Sequence, residues 1–242
     1  MDAVIEKLKL LRLKNCAQNL ADVLDQAARE NLSILQAIDR LLEIELACRN
    51  KARIILRFKQ SKLGEKTTID QFDFNHHESR RKYKTRILSL IDLGFIQNKK
   101  DIIFIGNPGT GKTFLSRCIA YAATQAGIKT LFTTTMDMIN QLVAAKTDHT
   151  LLKKLQYYQS QDILVCDETG YLPLGRQGSN LFFQVISARH EKKSTIITTN
   201  LPFAKWGDIF DGTTVATAIA DRLVYNSDIL ILEGESYRKK SK

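Results

Sequence analysis

The chain has 242 residues, with 36 Lys and Arg against 26 Asp and Glu for a formal net charge of +10, and 44% of its residues are apolar. That length holds one full α/β domain and a small second one without disulfide or metal staples, and the charge suits either a polyanionic partner such as nucleic acid or a solvated positive surface. No apolar run is long enough for a bilayer, Met1-Asp2-Ala3 lacks a basic export signal, and Cys16, Cys48, Cys118 and Cys166 form no CxxC pair, so a cytoplasmic protein without membrane, zinc knuckle or disulfide framework is expected.

From Asp2 to Leu63 there is neither proline nor glycine, and Leu20, Val23, Leu24 and Ala27, then Ile34, Ile38, Leu41 and Leu42, recur at helical spacing. Ser33 with Gln36 makes a capping box that starts a long helix running to Lys62, with Gly64 as its stop. Arg49, Lys51, Arg53, Arg57, Lys59 and Lys62 run without an acid between them; they suit a phosphate backbone, or equally an exposed bundle face. The polar link Gly64 to Thr68 places the domain boundary near 66, giving a helical domain over 1–66 and an α/β domain over 67–242. Beyond it, His76-His77 read as structural, since no carboxylate joins them at ligand spacing. Arg80 to Arg86 form a basic run around Tyr83, which fits either a solvated helix face or a sugar-phosphate chain with a base stacked on the ring.

Ile102 to Ile105 is an apolar strand. It feeds Gly106-Asn107-Pro108-Gly109-Thr110-Gly111-Lys112-Thr113 and then a helix from Phe114. This is a P-loop (Walker A): a strand, a glycine-rich turn and a helix start aim backbone N–H groups at one spot, where a triphosphate can take them up. Lys112 reaches the β and γ phosphates of ATP, and the Thr113 hydroxyl binds Mg²⁺. Strands then alternate with helices: a strand over Lys129 to Thr133, helices over Met136 to Ala145 and Leu151 to Tyr158, and a strand over Asp162 to Cys166. A helix over Leu181 to Arg189 and strands over Ser194 to Thr198 and Ile229 to Leu232 complete the series. The pattern predicts a doubly wound, five-stranded parallel sheet with helices on both faces and its ligand at the strands' carboxyl ends.

Asp167-Glu168 ends the strand that closes on Cys166, the Walker B position: Asp167 is assigned to the Mg²⁺ shell and Glu168 to polarising the attacking water, against a reading of the pair as a helix cap. Asn200, just past the next strand, can position that water; a turn before Pro202 is the competing reading. Transition-state charge can come from an arginine, and Arg189, Arg222 and Arg238 are candidates that spacing does not separate. Water activation by Glu168 speaks against a small-molecule P-loop kinase, which must exclude water.

With these residues quoted, the chain resembles the AAA+ ATPases, and within them the bacterial IstB-like transposition-helper family, whose relatives include the DnaC helicase loaders. The resemblance is carried by Gly106 to Thr113, Asp167 to Leu174, Thr198 to Gly207, Ala220-Asp221-Arg222-Leu223 and Gly234 to Arg238. It implies a DNA-dependent ATPase that forms a homo-oligomer on DNA, mainly through the phosphate backbone, marks or remodels target DNA and stimulates a cognate transposase. A DnaC-like loader of a replicative helicase is the alternative. Arg222 looks like an arginine finger acting across a subunit interface, with an ion pair to Asp221 as the other reading, and Arg238 looks like sensor II. Trp206 reads as packing. Tyr225-Asn226 stands where relatives commonly have two histidines, and with ten residues after Leu232 no C-terminal helical lid is expected.

Overall fold

Helical periodicity governs the first sixty residues, and the computed structural model, which describes residues 1–237, folds them into α1 (Asp2–Leu10), α2 (Lys14–Glu30) and α3 (Ile34–Gln60). The capping box forms reciprocally: Gln36 N–H donates to Ser33 Oγ (3.3 Å) and Ser33 N–H to Gln36 Oε1 (2.8 Å). The N-terminus of α2 has no local side-chain cap. Its exposed donors are met instead by Glu45 of α3, only 4% exposed, which accepts from Asn15 N–H (2.8 Å) and Cys16 N–H (3.1 Å). Arg49 neutralises this buried carboxylate at 2.7 Å, so the first cation of the basic run is already engaged. α3 ends before Gly64, and Lys62 takes the left-handed conformation (φ 60°).

The chain divides into two compact units, Met1–Leu56 and a second beginning at Arg57. The division falls inside α3, earlier than the turn-rich link at 64–68. Phe58 and Leu63 belong to the core of the second unit, and Arg57 Nε donates to Gly127 O (3.2 Å).

The second unit continues through a 3₁₀ turn (Ile69–Gln71), α4 (Glu78–Lys82), α5 (Lys84–Ile91), α6 (Gly94–Gln97), β1 (Asp101–Gly106), α7 (Lys112–Gln125), β2 (Thr130–Thr134), α8 (Thr135–Thr147), α9 (Leu151–Gln159) and β3 (Ile163–Thr169). It closes with α10 (Gly175–Arg189), β4 (Ser194–Thr199), a 3₁₀ turn (Phe203–Asp208), α11 (Thr213–Tyr225) and β5 (Ser227–Leu232). The five strands are all parallel in the order β2-β3-β4-β1-β5. Alternation along each strand feeds two apolar layers. Ile102, Phe104, Ile163 and Val165 pack with Ile87 and Leu90 of α5 and Leu115 and Ile119 of α7. Ile103, Leu164, Cys166 and Ile197 pack with α8 to α11 and Trp206. This is the expected sheet, covered on both faces. Among the described residues no helix is long and apolar enough to cross a membrane, and all four cysteines are free.

Candidate active site

β1 lies between the central strand β4 and the edge strand β5, so its carboxyl end opens inside the sheet, with a neighbour on either side. There Gly109 (φ 81°) and Gly111 (φ 102°) adopt left-handed conformations that a side chain would strain, and Gly111 hands the chain to α7. The orphan N–H groups of this 14-residue helix face a cleft of about 540 Å³ bordered by Pro108, Gly109, Gly111, Lys112 and Thr113. Lys112 is buried, with Nζ donating to Gly106 O (2.7 Å) and Asn107 O (2.9 Å), so its charge is held at the loop's mouth.

Across the cleft, the Thr113 hydroxyl donates to Asp167 Oδ1 at 3.0 Å. The same oxygen accepts from Thr198 Oγ1 (2.5 Å), which in turn accepts from Glu168 N–H (3.0 Å). The register explains why adjacent acids serve different places: Cys166 pairs with Ile197 but Thr169 with Thr199, so β3 carries one extra residue there. Glu168 takes up the bulge at φ 56°, exposed and bordering the cleft, while Asp167 is buried. A Thr hydroxyl converging with a carboxylate offers hard oxygen donors of the kind Mg²⁺ takes. Among the described residues no group of three His, Cys, Asp or Glu is placed to hold a metal ion by itself, so phosphate and water would complete such a shell.

Asn200 lies just past β4, with its amide oxygen buried and without a hydrogen-bond partner among the described residues. The turn that follows is closed by Thr199, whose Oγ1 accepts from Leu201 N–H (3.1 Å), and Thr198 rather than Asn200 borders the cleft. Arg189 is not available for catalysis. It is 0% exposed and donates to the carbonyls of Tyr158 (3.1 Å), Gln159 (3.3 Å), Gln161 (2.7 Å) and Ser194 (2.5 Å) and to Thr195 Oγ1 (3.1 Å), tying three segments together. Arg222 lies on α11 away from its own chain's cleft, over the Phe183 ring (4.7 Å) and donating to Ala218 O (2.8 Å); no ion pair joins it to Asp221. Arg238 lies outside the described residues.

The sequence reading missed Thr198, although a polar Thr-Thr pair ending an apolar strand is a signal for it. It also missed the wall formed by Phe72, Phe114 and Tyr237. Arg80, read as one of a basic run, is 3% exposed beneath the P-loop, and Tyr83 packs on the apolar layer. Arg86 pairs with Asp228. His77 caps α4 by accepting from Ser79 N–H (3.1 Å), the structural role expected of it.

A family model described as IstB-like ATP binding protein matches residues 6–242. A Geobacillus stearothermophilus protein named for ATP binding in insertion sequence IS5376 is 39% identical over 232 residues, covering 96% of this chain and 92% of the relative. The corresponding IS21 protein of Pseudomonas aeruginosa is 35% identical over 235 residues, covering 97% and 88%. Among solved structures, the DnaC helicase loader superposes with a TM-score of 0.61 at 23% identity over 69% of this chain and 96% of that one. DnaI gives 0.60 at 19% over 69% and 90%. These two likenesses concern the fold alone. A family match over nearly the whole length, together with a P-loop, a metal-suited Thr–Asp pair and a cleft-facing glutamate in one place, makes this chain a member of the IstB-like ATP binding protein family.

Proposed function

We propose that the chain is a DNA-dependent ATPase that assembles as a homo-oligomer on DNA, selects or remodels target DNA and stimulates a cognate transposase, hydrolysing ATP to ADP and phosphate. The observation that carries the reading is the Thr113–Asp167 contact with Glu168 facing the same cleft. In this reading the loop's N–H groups and Lys112 hold the phosphates, and Thr113 and Asp167 hold Mg²⁺, whose chemistry is to neutralise charge on the phosphate oxygens. Glu168 draws the proton from the attacking water; Asn200, which does not border the cleft in this structure, would have to turn its amide oxygen, unpartnered among the described residues, toward that water to orient it. Arg222 acts from a neighbouring copy and Arg238 in its own chain. Residues 1–66 serve as the docking element for partners, and DNA is held through its phosphates.

The relatives' names place them in insertion sequences, and the net charge of +10 suits a polyanion. The fold likeness to DnaC and DnaI favours a second reading, a loader that grips single-stranded DNA and docks on a hexameric helicase. ATPase rate and particle size, measured with duplex, single-stranded or no DNA, test the proposal: turnover and size should rise together on DNA. Lys112→Ala should weaken ATP binding, whereas Glu168→Gln should bind ATP and stall on DNA. A monomer hydrolysing at full rate without DNA overturns the reading, and capture of a helicase rather than a transposase selects the alternative.

A further inference from the structure

Arg80 is a buried cation beside the P-loop. One nitrogen of its guanidinium donates to Thr110 O (3.0 Å) and another to Asp73 O (2.9 Å), and the group lies over two rings, Phe72 at 4.5 Å and Tyr237 at 5.2 Å. Tyr237 brings a second tie to the same loop, its N–H donating to Gly109 O at 3.0 Å. Two neighbouring carbonyls of the P-loop are thus held by groups from residues 80 and 237.

In a trans peptide the carbonyl and the following N–H point in opposite directions. Fixing the carbonyls of Gly109 and Thr110 therefore fixes the N–H groups of Thr110 and Gly111, two of the donors a P-loop presents to phosphate. In this structure Thr110 N–H makes only a long 3.4 Å bond to Asn107 O. The two holding segments also grip one another: Ser79 Oγ donates to Glu233 O (2.9 Å) and accepts from Glu233 N–H (3.1 Å). The fit leaves no space, since a Cβ on Gly109 would lie 2.0 Å from Ser236 Oγ and one on Gly111 2.6 Å from Phe72 Cε2. Burial pulls the Arg80 pKa below its ordinary value, the mark of a cation that is costly to place there.

We propose that Arg80 is a positioning residue for nucleotide binding, which clasps the P-loop and the C-terminal Ser236–Tyr237 segment together and so sets the loop's amides toward the phosphates. This rests on the ATP-site reading above. A lysine keeps the charge but has no planar fork to span two carbonyls and lie over two rings.

The test is titration of the full-length chain with a fluorescent ATP analogue, alongside steady-state kinetics on DNA, for the wild type, Arg80→Lys, Arg80→Ala and Tyr237→Ala. Arg80→Ala should raise Kd and KM at least about tenfold, the order of one charge-assisted hydrogen bond. Its kcat at saturating ATP should stay within about twofold, because the loss is in binding rather than in the chemical step. Arg80→Lys should lie between, and Tyr237→Ala should weaken binding less in an Arg80→Ala background than in the wild type, because the two share one clasp. Should Arg80→Ala not fold, Arg80→Lys decides by the same criterion. Nucleotide affinity unchanged in Arg80→Lys and in any folded Arg80→Ala, or a fall in kcat at constant KM, would overturn the proposal. Failure of the wild type to bind ATP would sink the ATP-site reading itself.

Discussion

Thr198, 1% exposed, uses its one hydroxyl in both directions, as donor to the Asp167 carboxylate and as acceptor from the Glu168 N–H. Glu168 sits in a left-handed conformation, which for a non-glycine residue costs about 1–3 kcal/mol and persists only where neighbours hold it. Thr198→Val keeps the branched shape and removes the hydroxyl. Turnover should fall about 10–100-fold, as when groups orienting a metal ligand are lost, and the Mg²⁺ concentration for half-maximal rate should rise. ATP affinity without Mg²⁺ should hold, and Thr198→Ser should restore activity; a Thr198→Val enzyme with wild-type Mg²⁺ dependence would refute this. That Lys112, Thr113 and the acidic pair gather at one cleft was legible in the sequence, because each stands at a strand end or helix start marked by its neighbours along the chain. Thr198 and Arg80 were not, because their partners are brought from other strands and from residues 72 and 237.

At the level of elements, the amino end of the β1–β4 pair holds a second polar site with the opposite character. Asp101 opens β1, is nearly fully buried and accepts from Thr195 N–H at 2.6 Å. Burial pushes its carboxyl up to about 7, with that hydrogen bond and the nearby Arg189 pulling the other way. A carboxyl bound more tightly to its proton in the folded chain contributes stability that is full below the unfolded value of about 3.9. That contribution is lost as pH rises toward about 7, at up to about 1.4 kcal/mol per pH unit. Asp101→Asn keeps an acceptor for Thr195 and removes the titration. Urea unfolding between pH 5 and 8 should therefore be flatter for the variant than for the wild type, and parallel curves would exclude Asp101 as the source. The strands are readable to within two residues, since both faces of a covered sheet demand continuous apolar runs, except that β3 continues three residues past Cys166 through the polar Asp167-Glu168-Thr169. α3 stops two residues short of the expected Lys62, because Lys62 itself turns left-handed (φ 60°) ahead of Gly64, which is left-handed as well (φ 79°).

For the whole molecule, the division between units was hidden because α3 runs through it with unbroken periodicity; nothing in the residues marks that the helix from Arg57 on belongs to the second unit, where Phe58 packs. The place of Arg222, remote from its own cleft, motivates a mixing experiment. Arg222→Ala subunits, which keep Glu168, combined with Glu168→Gln subunits, which keep Arg222, should recover ATPase activity on DNA that neither has alone. No recovery at any ratio would assign Arg222 another role.

The strand order has a further outcome. Because β4 is inserted between β1 and β3, the lysine-bearing loop and the acidic pair stand two ladder steps apart, roughly 9.6 Å of main-chain spacing. That distance is a property of peptide geometry, common to any parallel sheet, and owes nothing to which aliphatic groups fill the layers above and below. Drift in the interior can therefore be extensive while the gauge of the gap between loop and acids stays constant.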